Sequence, residues 1–124
     1  MTLAEFYAAR LDEAEAEALA ASPGPWHLSA EDDEVLAVDD ITVADVFALS
    51  GNQQRATARH IARHDPARVI REVQAGRKIL ADYEGTRAIT GDNDEYVAGL
   101  SAALSALASV YSDHPDWDEA RRES

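Results

Sequence analysis

The chain has 124 residues, with 24 acidic side chains against 11 basic ones, a formal net charge of −13 and no cysteine. That length predicts a single domain, 1–124, with a modest core, and the missing thiols exclude disulfides, thiolate zinc sites and cysteine nucleophiles. The charge speaks against nonspecific nucleic-acid binding, which needs a surplus of lysine and arginine facing phosphate.

No apolar run approaches the length of a membrane span, and no signal peptide precedes the first helix, so a cytoplasmic protein without membrane contact is expected. Much of the 46% hydrophobic share is alanine, so each large apolar residue at a patterned position matters. The charges are unevenly spread. Residues 1–50 hold twelve acidic and one basic side chain, residues 51–91 hold eight basic and four acidic, and residues 92–124 hold eight acidic and two basic.

The first predicted element is a helix over 2–21. Thr2 can cap it and Glu5 completes a capping box. Leu3, Phe6, Tyr7, Leu11, Ala14 and Ala18 then fall on one stripe at helical spacing. "SPGPW" stops the helix, because Pro23 and Pro25 cannot continue it. Trp26 behind this turn reads as a core anchor. Within 26–47 the period changes to short β-branched runs: Val35, Leu36, Val38, Ile41, Val43 and Val46 carry the apolar content, and Asp39-Asp40 marks a hairpin turn. "SAEDDE" reads as a solvated turn, and so small a sheet needs helices on one face.

Further helices are predicted over 52–64, 66–83 and 94–111. Gly76 interrupts the second of these, either to allow a close helix contact or as a weak point. "EGTRAITGDND" reads as a loop, ordered by Ile89, with Asp92 or Asn93 capping the next helix. In that helix Val97, Leu100, Leu104, Leu107 and Tyr111 recur every three or four residues, which suits either packing in a small bundle or a homodimer seam. A short segment, 112–124, ends the chain. The fold class is therefore α+β: mostly helical, four main helices packed against a short two- or three-stranded antiparallel hairpin sheet.

"ARHIARHDPARVIREV" at 58–73 carries the densest chemistry. Asp65 is a good N-cap, Pro66 fits the first helical position, and proline forces the preceding helix to end near His64. A histidine in a last turn also suits the carbonyl end of a helix. The competing reading takes His60 and His64, at i and i+4, as ligands for a divalent metal, with His114 and Asp116, or Asp65 itself, completing the set if the C-terminal segment folds back. Against it, the sequence is "HIARH" with no glutamate base between the two, and Arg59 and Arg63 oppose a cation. No other cofactor is expected, and no catalytic residue is assigned. Arg55, Arg59 and Arg63 form a ridge at four-residue spacing, read as paired with the acidic first helix or as a partner site.

"SPGPW" at 22–26, "HIARHDPARVIREV" at 60–73 and "YSDHPDW" at 111–117 resemble the signature blocks of a family of small proteins from actinobacteria and their phages. That family carries a domain-of-unknown-function label. The proline-glycine-proline-tryptophan turn is also similar to a broader group of phage early accessory proteins. The resemblance implies a phage or prophage origin and brings no catalytic residues with it. Gly76 departs from the charged run usual in that family.

Three functions follow as expectations. The first is a non-enzymatic accessory or protein-interaction protein, with a protein partner or self-association through Leu100, Leu104, Leu107 and Tyr111. The second is an acidic inhibitor that mimics nucleic acid. The third is a metal-dependent hydrolase built on His60, His64, Asp65 and His114.

Overall fold

The computed structural model describes residues 1–123 and has an α+β fold. The elements in order are α1 (Leu3–Ala20), β1 (His27–Leu28), β2 (Glu34–Leu36), β3 (Thr42–Asp45), α2 (Gly51–Arg63), α3 (Pro66–Thr90), α4 (Glu95–Ala108) and α5 (Trp117–Arg122). The chain divides into two compact units. One comprises Met1–Glu13 with Val73–Ser124, the other Ala14–Glu72.

The second unit is built on an antiparallel sheet of order β1-β2-β3, with Leu28 opposite Val35 and Val35 opposite Ala44. Both connecting turns use aspartate in the left-handed region: Asp32 has φ 57°, Asp39 φ 61° and Asp40 φ 56°. Aspartate tolerates this backbone better than most residues with a Cβ. Val38 and Ile41, expected in the strands, fall in the second turn and are exposed.

Ser50 starts α2 by accepting the Gln53 amide on its hydroxyl. Ala58, Ile61 and Ala62 lie at i, i+3 and i+4, one face of a helix. That face meets Val35, Val46, Trp26, Leu28, Val43 and Ala44 to form the core of this unit. Trp26 is half-buried against this core, and its indole N–H donates to the Ser22 carbonyl at 2.9 Å.

One carboxylate joins the proline turn to the helix joint. Asp65 is 7% exposed. Its Oδ1 accepts the Arg68 amide at 2.8 Å, the N-cap bond of α3, while Oδ2 accepts the Trp26 amide at 3.0 Å. Gly24 lies so close that a Cβ there would stand 2.8 Å from Oδ2 and 3.3 Å from the Ala67 Cβ. A glycine is thus required by proximity as well as by the turn.

In the first unit, Thr2 caps α1 by accepting the Glu5 amide at 3.2 Å. Leu3, Phe6, Tyr7 and Leu11 are buried, as are Val73 and Leu80 of α3, Val97, Leu104 and Ala108 of α4, and Ala120 of α5. Gly76 proves to be a close-contact position: a Cβ there would lie 2.5 Å from the Tyr7 hydroxyl and 3.1 Å from Leu11 Cδ1. Beside it, Arg77 reaches Asp12 at 2.8 Å.

Two expectations need correction. Residues 84–90, read as a loop, are the last two turns of α3. The helix ends at Gly91, where φ is 81° and the amide donates to the Arg87 carbonyl. Gly85 and the β-branched residues near it lower helix propensity only modestly, too little to stop a helix already propagating. Ile89 stands exposed and orders nothing. Nor do Asp92 and Asn93 cap α4; Asp94 does, with Oδ1 accepting the amides of Tyr96 and Val97, while Asp92 pairs with Arg87 at 2.5 Å. The C-terminal segment contains one further helix, α5, whose Trp117 ring lies 5.8 Å from the Phe6 ring.

Asp65→Ala is expected to lower stability by about 2–4 kcal/mol, the sum of a lost N-cap and a buried amide left unpaired. Asp65→Asn keeps one acceptor and should lose about half as much; urea denaturation measures both. Gly76→Ala should destabilise by about 1–3 kcal/mol, because overpacking against Tyr7 outweighs the gain in helix propensity. A stabilised Gly76→Ala protein would contradict the close contact.

Candidate functional site

With Ala58, Ile61 and Ala62 turned to the sheet and Gln54 donating to the Val46 carbonyl, Arg55, Arg59, His60 and Arg63 of α2 and the following His64 are all exposed. Arg55 donates to the Asn52 side chain at 2.7 Å. Arg59 and Arg63 make no hydrogen bond or ion pair with any described residue. This corrects the expectation that the ridge pairs with the acidic first helix; the arginine that does so is Arg77, in the other unit.

Arg59 and Arg63 are shared by two shallow, open hollows. One, of about 230 Å³, is completed by Ala56, His60 and His64. The other, of about 320 Å³, is completed by Trp26, His27, Leu28 and Ala62. The surface is thus cationic along the helix and apolar on the side towards the sheet. Just ahead of α2, Phe47 and Leu49 are 85% and 103% exposed.

The histidines serve the joint. His64 is the C-cap residue of α2, and its Nδ1–H donates to the His60 carbonyl at 2.7 Å. A carbonyl can only accept, so Nδ1 holds a proton. The two rings lie 4.4 Å apart at 41°. Asp65 is unsuited as a third ligand, since both its oxygens are occupied by backbone amides. His114 belongs to the other unit: its Nδ1 accepts the Asp116 amide at 3.0 Å, and its ring meets Phe6 edge-on at 5.5 Å. Among the described residues no three His, Cys, Asp or Glu side chains form a group able to hold a metal ion.

The 94–111 stripe is covered within the chain only in part. Val97 and Leu104 are buried, Leu100, Leu107 and Tyr111 are half-buried, and Tyr111 lies 6.4 Å from the Tyr7 ring. The first unit also has a cleft of about 430 Å³, with Leu3, Val97 and Leu104 among its apolar walls and Arg87, Asp92 and Glu123 among its charged ones. Its charges are already matched. Asp92 bonds Arg87 and holds that guanidinium's pKa above its ordinary value, and Glu123 does the same for the Met1 amine.

Arg10 escaped sequence reasoning. It sits on the buried side of α1, 7% exposed, 4.9 Å above the Phe6 ring and 2.8 Å from Glu13. Its Nε and Nη1 are buried without partners. The only signal was its place beside the apolar stripe, one residue before Leu11.

Fold and surface together define a small α+β protein that carries a basic helix, α2, with one face open to solvent in an acidic chain, and no helix among the described residues is long and apolar enough to cross a membrane. The chain belongs to the family of unknown function DUF6221, whose family model matches residues 1–122. No curated protein and no solved structure matches it.

His64→Ala should cost about 0.5–1 kcal/mol through the lost contact with the last carbonyls of α2. His114→Ala should cost more, because it removes a ring packed on buried Phe6. Chemical denaturation with and without EDTA separates this from the metal reading: under the structural roles, the chelator leaves both variants and the parent unchanged.

Proposed function

We propose that this protein is an interaction module without chemistry of its own, and that its partner meets the outer face of α2. The observation that carries the reading is the free state of Arg59 and Arg63. Exposed Arg71 also lacks a described partner, but Arg59 and Arg63 face solvent together, beside two exposed imidazoles and an apolar hollow. Exposed Phe47 and Leu49 support the same reading. Large apolar side chains left in water give up about 1.5–3 kcal/mol each of available burial, and an interface recovers it. A cytoplasmic role as a phage or prophage accessory protein of actinobacteria is the finer form of the proposal, supported by the resemblance of the three sequence blocks.

The test is comparative capture from cells of the source organism, using tagged parent, R59E/R63E and R71E proteins. Arg71 is a fair control because it is also exposed and has no described partner. A protein retained by parent and R71E, and bound about tenfold or more weakly by R59E/R63E once purified, is the expected result. Recovery of the same partner by all three proteins removes the α2 face from the interaction. It would favour the acidic surface, and with it the nucleic-acid-mimicking inhibitor.

A further inference from the structure

The shared position of Arg59 and Arg63 between two unlike hollows specifies what the partner presents. Resting on the α2 reading above, we infer that the recognised element is an acidic protein segment carrying one large apolar side chain. That side chain seats against Trp26, Leu28 and Ala62, while flanking carboxylates meet Arg59 and Arg63.

Three observations support this occupant. The hollow of about 320 Å³ is walled by an indole, a leucine and an alanine, with the two guanidiniums at its border, so apolar and anionic contacts are available side by side. The second hollow, of about 230 Å³, is lined by Ala56, His60 and His64 together with the same two arginines, so both guanidiniums border open space in more than one place. Both hollows are shallow. A small-molecule site normally encloses most of its ligand, whereas a shallow seat beside charged groups suits one side chain of a larger chain lying across it. Nucleic acid fits less well, since it offers no aliphatic side chain for the apolar hollow, while the net charge of −13 opposes both kinds of anionic partner.

His27 borders the apolar hollow but is held by Asp40 at 2.9 Å, so the free cations there are the arginines. Bidentate arginine–carboxylate contacts fix orientation as well as charge, which is why two arginines four residues apart can set the register of an extended acidic segment.

The experiment titrates full-length protein into a labelled peptide that places one leucine between pairs of glutamates, with fluorescence anisotropy as the readout at low ionic strength. Comparison probes are the same peptide with alanine for leucine, and single-stranded oligothymidylate of similar charge. The leucine peptide should bind about fivefold tighter than the alanine peptide, the gain from partly burying the larger side chain. R59E/R63E should weaken it about tenfold or more, and R71E less than about twofold. Equal binding of the two peptides overturns the inference, as does an R71E loss matching that of R59E/R63E. Tighter binding of the oligonucleotide through Arg59 and Arg63 overturns it too and marks a phosphate site. If capture from cells yields an Arg59- and Arg63-dependent partner while the peptides show no leucine preference, only this inference fails and the interaction reading stands.

Discussion

The carboxylate of Asp65 is the constraint from which the sheet-bearing unit takes its form. One oxygen closes the first turn of α3 and the other holds the backbone of the proline turn at Trp26. A buried carboxylate is tolerable only when its oxygens are satisfied, and backbone amides are donors whose positions are fixed by the chain. Serine or threonine at this position supplies the cap with one oxygen and leaves the Trp26 amide unpaired. The need for both bonds also explains Gly24, since any side chain there meets the same carboxylate. Residues about forty apart in sequence are thereby tied at one point, and Trp26 is delivered to the core under α2.

That attachment makes α2 a helix with two different faces. Its inner face consists of small and branched apolar side chains, which let it sit close on a three-stranded sheet too small to persist uncovered. Its outer face consists of arginines and histidines that the inner packing turns to water. The histidine pair looks like a ligand motif because i and i+4 share a face. The same geometry places His64 over the carbonyl of His60, and a helix end with unpaired carbonyls uses the ring first. The arginines have no such internal use, and this separates a structural histidine pair from a surface open to partners.

The sequence was most legible where one residue type has one efficient use. Asp-Pro after a helix, threonine three residues before glutamate and the β-branched runs around Asp39-Asp40 all marked true boundaries. It was least legible where weak signals compete. Residues 84–90 mix a glycine and two threonines with helix formers, and a helix already under way absorbs that cost. Among Asp92, Asn93 and Asp94 the capping choice is invisible until Gly91 fixes where α3 stops. Arg10 drew no reading from the sequence, yet it is a charge buried over an aromatic ring.

By itself the sequence indicated the fold class, where the four long helices begin, the caps at Thr2 and Asp65, and the concentration of basic charge between residues 51 and 91. These follow from local rules: helical period, turn chemistry and the backbone limits of proline. Only the tertiary structure decided which cations are free, which histidines are engaged, and that within the α4 stripe Leu104 is buried while Leu100 and Leu107 stay half-exposed. Those outcomes depend on which groups are brought together across long stretches of sequence, and a spacing pattern holds no information about the partner on the other side.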